Sequence, residues 1–178
     1  KMKIAIIGYS GAGKSTLAEK LSHYYSIPKL HMDTLQFQPG WQDSDREWML
    51  TEMKNFLTKH EAWVIDGNYS WCCYEERMQE ADQIIFLNFS PWTCLFRAFK
   101  RYLTYRGKVR ESMAAGCPER FDWEFIRWIL WDGRTKNAKE RYQRVQENYP
   151  EKVIVLRSQK EMDHFLENIA NNKKNQRV

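Results

Sequence analysis

Ile4-Ala5-Ile6-Ile7-Gly8-Tyr9-Ser10-Gly11-Ala12-Gly13-Lys14-Ser15-Thr16 decides the architecture of this 178-residue chain. A β-branched apolar run ends in glycine, and a helix-forming stretch opens at the Lys14-Ser15 pair, so strand, glycine-rich turn and helix follow directly. From Gly8 to Ser15 the spacing is G-x-x-x-x-G-K-S, which cradles nucleotide phosphates. Each residue type has a physical task. Glycines let backbone N–H groups turn toward phosphate oxygens with no Cβ in the way. The helix that follows offers unpaired N–H groups and its positive dipole end to the same anion. Lys14 reaches the β- and γ-phosphates, and Ser15 is a ligand for Mg²⁺. Gly8, Ser10, Gly11, Ala12, Gly13, Lys14, Ser15 and Thr16 are therefore the expected ATP phosphate cradle.

Working outward, Ser15 to Tyr25 reads as a helix with Leu17, Ala18 and Leu21 inward. Residues 29–33 read as a second strand, and a loop passes through Pro39-Gly40-Trp41. Ser44-x-x-Glu47 reads as a capping box for a helix carrying Met49, Met53, Phe56 and Leu57. Residues 62–65 form a third strand ending in Asp66-Gly67, a short helix covers 73–79, and 83–87 form a fourth strand. Ser90-Pro91 opens a helix to about Tyr105. A glycine-punctuated stretch runs from Gly107 to Arg120, and Asp122 caps a long helix reaching about Asn148. Residues 153–156 are a fifth strand. Ser158-x-x-Glu161 caps a last helix, and the tail after Asn171 is polar. Alternating strands and helices predict a parallel sheet covered on both faces. Right-handed crossovers then gather the carboxyl ends of the strands along one edge.

No apolar run is long enough to span a membrane, and the N-terminus lacks a signal-peptide layout. Four cysteines (Cys72, Cys73, Cys94, Cys117) show no metal-ligand spacing, which points to reduced thiols and a cytoplasmic setting. Net charge is +5, but residues 92–144 hold 13 Lys+Arg against 6 Asp+Glu. That arginine-rich surplus calls for a polyanion, ATP in the first place and nucleic acid in the second.

Candidate chemistry falls at strand ends. Asp66 is expected beside Ser15 as a carboxylate for Mg²⁺, and Asp33 as the group that orients an acceptor hydroxyl. His31 is read as a half-buried packing residue or a hydrogen-bonding residue near Asp33, with no catalytic role. Arg97 and Arg101, four apart on one helix face, are expected to neutralise the transferring phosphoryl group together with Arg134, with Arg106, Arg110 and Arg127 nearby. Arg157, just past the fifth strand, joins Arg97 as a candidate nucleotide contact. Trp41 sits near the expected acceptor site, and the other tryptophans are read as packing residues.

These residues carry a resemblance. The glycine-rich loop, Asp66-Gly67 after the third strand, and an Arg-x-x-x-Arg helix leading into a lid resemble the nucleoside-monophosphate-kinase group of P-loop kinases. Along nearly its whole length the chain is similar to bacterial topology modulation proteins, an adenylate-kinase-related family. The matching stretches are residues 6–15, Leu30-His31-Met32-Asp33, Ile65-Asp66-Gly67-Asn68-Tyr69-Ser70 and Gly116-Cys117-Pro118-Glu119-Arg120. The resemblance implies an α/β, three-layer P-loop NTPase fold within one domain over 1–178. It implies a five-stranded parallel sheet in order 2-3-1-4-5, an acceptor-side insert over 34–60 and a helical lid over 97–134. It implies ATP, Mg²⁺ and phosphotransfer to a small molecule. The alternatives are a nucleic-acid-associated ATPase, as the family name suggests, and a nucleotide-dependent switch. The chain departs from adenylate kinase where Asn68-Tyr69-Ser70 replace an aromatic, Pro and Arg, which argues against a nucleoside monophosphate as acceptor. The guanine-reading Asn-Lys-x-Asp element is missing, which favours ATP over GTP.

Overall fold

The apolar run before the glycine-rich loop is a central strand, β1 (Lys3–Gly8), in the computed structural model, which describes residues 1–175. Ile4, Ala5, Ile6 and Ile7 are wholly buried. A strand flanked on both sides and covered on both faces has no solvent face to keep polar, hence the unbroken apolar run. Each buried isoleucine contributes roughly 1.5–3 kcal/mol relative to exposure.

The chain then runs α1 (Lys14–Tyr25), β2 (Lys29–His31), α2 (Met32–Gln36), a hairpin of β3 (Phe37–Gln38) and β4 (Gln42–Asp43), and α3 (Arg46–Lys59). It continues with β5 (Trp63–Asp66), α4 (Tyr74–Glu80), β6 (Gln83–Leu87), α5 (Pro91–Tyr105) and α6 (Trp123–Leu130). A 3-10 turn (Asp132–Arg134), α7 (Lys136–Asn148), β7 (Val153–Leu156) and α8 (Gln159–Asn175) complete it. The five-stranded sheet has the order β2-β5-β1-β6-β7, every pair parallel. Counted among themselves, its strands follow the expected 2-3-1-4-5. The labels differ because the small β3–β4 hairpin, read from sequence as a loop, is inserted between the second and third. Register aligns the strand ends: His31 lies opposite Asp66, Ile6 opposite Asp66, and Gly8 opposite Leu87.

Several local expectations are corrected. The second strand stops at His31, and Met32 and Asp33 begin α2. The N-cap of α3 is Asp45, whose side chain accepts from Trp48 N at 2.9 Å, while Ser44 Oγ accepts from Gln38. The long helix after Asp122 is broken. Gly133 packs where an added Cβ would sit 2.9 Å from the Trp128 carbonyl, and Thr135 starts a new helix by capping Ala138 N at 3.3 Å. The expected helical lid is helical only at its flanks, α5 and α6; the stretch between is built of turns. Trp63 is wholly buried, but Trp48, Trp92, Trp123, Trp128 and Trp131 are exposed, against their expected packing role. At Ser158 half of the capping box forms, Ser158 Oγ accepting from Glu161 N at 3.2 Å, while the Glu161 carboxylate accepts from Arg157 N at 2.7 Å, one residue before the cap. Of the polar tail after Asn171, residues 176–178 lie outside the described residues.

Candidate active site

Gly13 precedes α1 with φ 96° in the left-handed region, where an L side chain is strained. A Cβ there would also lie 2.5 Å from Arg97 Nη2, so the arginine seats directly against the loop. The first N–H groups of α1 have no intrahelical acceptor and mark the anion-binding end of the helix. Lys14 Nζ donates to the carbonyls of Gly8 (2.9 Å) and Tyr9 (3.1 Å). Burial lowers the Lys14 pKa, opposed by the negative charges of Asp33 and Asp66. Asn68 braces the start of the loop: its Oδ1 accepts from Gly8 N at 3.0 Å, and its Nδ2 donates to Gly8 O at 2.5 Å.

Ser15 Oγ donates to Asp66 Oδ2 at 2.9 Å, joining the loop to the end of β5. The other carboxylate oxygen, Oδ1, lies 2.6 Å from Nδ1 of the buried His31. His31 Nε2 lies 3.0 Å from Glu19 Oε1 on α1, and Glu19 also pairs with Lys29. Burial disfavours a charged His31, but its bonds to Asp66 and Glu19 outweigh that and raise its pKa above the ordinary value. Of the two readings of His31 the hydrogen-bonding one holds, with Asp66 and Glu19 as its partners. Its place beside Asp66 follows from the pairing of β2 with β5, which no local motif announces. The Ser15–Asp66 pair is a hard oxygen donor set, the chemistry Mg²⁺ prefers, with remaining positions available to nucleotide phosphates and water. The residues present therefore fit Mg²⁺.

Across the cleft, Tyr69 OH donates to Asp33 Oδ1 at 2.6 Å. Burial, then the Asp33 charge, raises the Tyr69 pKa, keeping the phenol protonated as a donor. Behind it, buried Arg77 donates to the carbonyls of Gly67 and Tyr69, each at 3.2 Å, and fixes the turn after β5. Burial lowers the Arg77 pKa to about 10. Arg120 stacks over Trp41 at 4.8 Å, and Arg46 over Trp71 at 4.9 Å. The tip of the hairpin meets the 107–120 stretch, Gly40 N donating to Gly116 O at 2.9 Å.

The arginines divide. Arg97 stacks over Phe89 and donates through Nη1 to Gln159 at the start of α8. Arg101 and Arg110 each donate through Nε to one oxygen of Glu119, at 2.5 and 2.6 Å. Arg134 departs from its expected place. It lies 3.8 Å over the Tyr9 ring and donates to Phe89 O (2.9 Å) and Ile129 O (3.0 Å), outside the lining of the main cleft. Its position makes it a clamp between the 3-10 turn and the start of α5. Arg134→Ala leaves those carbonyls without their donor, so unfolding free energy should fall by about 1–3 kcal/mol in urea titrations while nucleotide affinity holds. Unchanged stability with lost turnover would restore the phosphate role. Arg157 is also away from the lining: it is exposed, and Gln159, two residues on, faces the cleft instead. Arg106 and Arg127 are exposed; Arg127 pairs with Asp132 at 3.0 Å.

One cleft of about 1160 Å³ collects Ser10, Gly11, Gly13, Lys14, Ser15 and Thr16 on one side. The same cleft is lined by Asp33, Asp66, Arg97 and Arg101. Ala12 is buried behind the loop, and Gly8 ends β1. Sequence reasoning missed Glu19, Gln159 and Glu119 and left Asn68 and Tyr69 without roles, although the last two follow Asp66-Gly67 directly. Neither a protein-family model nor a curated protein sequence matches the chain. Two solved structures share its architecture along almost their full lengths. A gluconokinase from Sinorhizobium meliloti 1021 is 18% identical over 98% of this chain and 97% of the other, with TM-score 0.50. A deoxyadenosine kinase from M. mycoides is 19% identical over 98% and 99%, with TM-score 0.53. The fold is that of the P-loop kinases.

Proposed function

We propose that this chain is a kinase that transfers the γ-phosphoryl group of ATP to a hydroxyl of a small molecule. One observation carries the reading: a single cleft joins Lys14 and the Ser15–Asp66 pair to the Asp33–Tyr69 pair. Two of the solved structures that share the fold, a gluconokinase and a deoxyadenosine kinase, are kinases. The loop N–H groups, Lys14 and Arg97 hold the nucleotide phosphates, and Arg101 extends the positive wall toward Asp33. Ser15 and Asp66 hold Mg²⁺, which when bound supplies charge neutralisation at the β- and γ-oxygens. Tyr69 engages Asp33 Oδ1, leaving Oδ2 to accept the acceptor's hydroxyl proton. The acceptor oxygen bonds to the γ-phosphorus, the bond to the β–γ bridging oxygen breaks, ADP leaves, and the proton passes from Asp33 to solvent. All four cysteines are free, in keeping with a reducing, cytoplasmic setting. Among the described residues no helix is long and apolar enough to cross a membrane.

The test is ADP release from MgATP across nucleosides, nucleotides, sugars and sugar acids. At least one hydroxyl compound should stimulate it well above the rate in buffer. Equal release with and without every compound means an ATPase, and tight binding without release means a switch.

The DNA-associated alternative rests on the basic surplus over 92–144. Its arginines are largely engaged within the protein, on Glu119, Asp132 and main-chain carbonyls, which favours the kinase reading. DNA affinity is therefore expected to be weak and to fall steeply with salt, with nucleotide affinity far less affected. Tight DNA binding that persists at moderate salt, in filter-binding or fluorescence-anisotropy titrations, would reverse that preference.

A further inference from the structure

The interior arginines differ in where their terminal nitrogens go. Arg77 commits Nη1 and Nη2 to main-chain carbonyls, and Arg134 commits Nε and Nη2 in the same way. Both are struts. Arg101 and Arg110 instead turn their inner Nε edges to Glu119, whose side chain is only 5% exposed. Arg110 Nη1 also donates to Ser112 Oγ at 3.1 Å. Among the described residues, Arg101 Nη1 and Nη2 and Arg110 Nη2 donate to no protein acceptor, and both side chains line the cleft.

A carboxylate between two guanidiniums aligns them and still leaves one positive charge. Fixing Nε leaves the other guanidinium edge pre-set for a second anion, the geometry that lets arginine recognise carboxylate and phosphate with two parallel bonds. The location assigns that anion to the acceptor. The nucleotide side already has the loop, Lys14 and Arg97, and Arg101 lies between the two sides, close enough to act on both Lys14 and Asp33. Arg110 belongs to the 107–120 stretch that touches the hairpin tip on the Asp33 side. The two tryptophans there carry guanidiniums on their faces, Arg120 on Trp41 and Arg46 on Trp71, which adds positive charge to that wall. We infer that Arg101 and Arg110, aligned by Glu119, bind an anionic group on the phosphoryl acceptor. The acceptor is then a small hydroxylated molecule that carries a carboxylate or a phosphate. Glu119 acts as a positioning residue for the pair. This inference rests on the kinase reading and narrows its substrate class.

Three compounds of equal carbon count separate the possibilities: glycerate, glycerol 3-phosphate and neutral glycerol. Each is titrated, with the heat of binding as readout, into protein saturated with Mg²⁺ and the non-hydrolysable analogue AMP-PNP. At least one anion should bind saturably and at least ten-fold more tightly than glycerol, and the better anion identifies carboxylate or phosphate. Arg110→Gln should weaken that binding at least ten-fold with AMP-PNP affinity unchanged, and Arg110→Lys should fall between. Glu119 keeps Arg101 as a partner in both variants, and Arg110→Lys carries the comparison if the glutamine variant is unstable. Binding of neither anion, glycerol binding as tightly as both, or Arg110 variants equal to the native protein would overturn the inference alone. Failure of AMP-PNP to bind would bring down the kinase reading with it.

Discussion

Lys14→Ala should lower MgATP turnover by about 10²–10³-fold or more, the scale seen when one preorganised donor to a developing charge is removed. In the proposed kinase Lys14 is the cation for the β- and γ-phosphates, and its ammonium is held over the loop by the carbonyls of Gly8 and Tyr9. Neither contact holds the sheet together, and Asn68 still braces Gly8 from the other side. Desolvation works against the Lys14 charge, so its removal should leave the thermal midpoint unchanged or slightly higher. Turnover and thermal unfolding measured on the same preparation check both halves. Near-native turnover would remove the kinase and ATPase readings together. A collapse of the midpoint would mean that Lys14 is structural.

The fold was readable from residues 4–16 because glycine, lysine and serine there each answer a local demand of backbone and charge. Alternating apolar runs placed the remaining sheet strands, since a buried parallel strand has no polar face to confuse the pattern. The hairpin 37–43 was not readable: its strands are two residues each, too short for any periodicity. The break after Leu130 was missed although Asp132-Gly133 is a turn signal and Thr135 a cap, because the apolar spacing on either side reads as one helix. That Asp33, Asp66 and Lys14 share one cleft was readable from their positions at strand ends and loop. The contacts of His31 and Glu119 were not. His31 acquires its partner through a neighbouring strand, and Glu119 lies 18 residues from Arg101 and nine from Arg110. Such contacts are products of topology and leave no spacing to detect. The partners of Arg134 were no more readable: an arginine near a phosphate site is a fair candidate, and no spacing announces that its nitrogens meet the carbonyls of Ile129 and Phe89.

Asp66→Asn and Asp33→Asn should separate the metal side of the cleft from the acceptor side. Asparagine keeps the shape of either side chain and removes its charge, so both variants should fold. At position 66 the amide meets Ser15 on one side and His31 on the other, where the carboxylate accepts from Ser15 and sits 2.6 Å from the ring nitrogen. Losing that charge should raise the Mg²⁺ concentration needed for half-maximal turnover and lower the rate by roughly 10²–10³-fold, with the acceptor KM little changed. At position 33 the amide oxygen can still accept from Tyr69, so the turn after β5 stays in place. What disappears is the carboxylate oxygen offered to the acceptor's proton, and general-base loss of this kind costs about 10²–10⁴-fold in rate. The Mg²⁺ requirement should remain native, because among the described residues Asp33 makes no hydrogen bond to Ser15 or Asp66, while ATP affinity changes only through the Asp33 charge that acts on Lys14. Steady-state kinetics over a matrix of Mg²⁺ and acceptor concentrations resolves the two patterns. If both variants lose turnover with the same Mg²⁺ curve and the same acceptor dependence, the two carboxylates act as one unit, and the division of the cleft into a nucleotide half and an acceptor half is wrong.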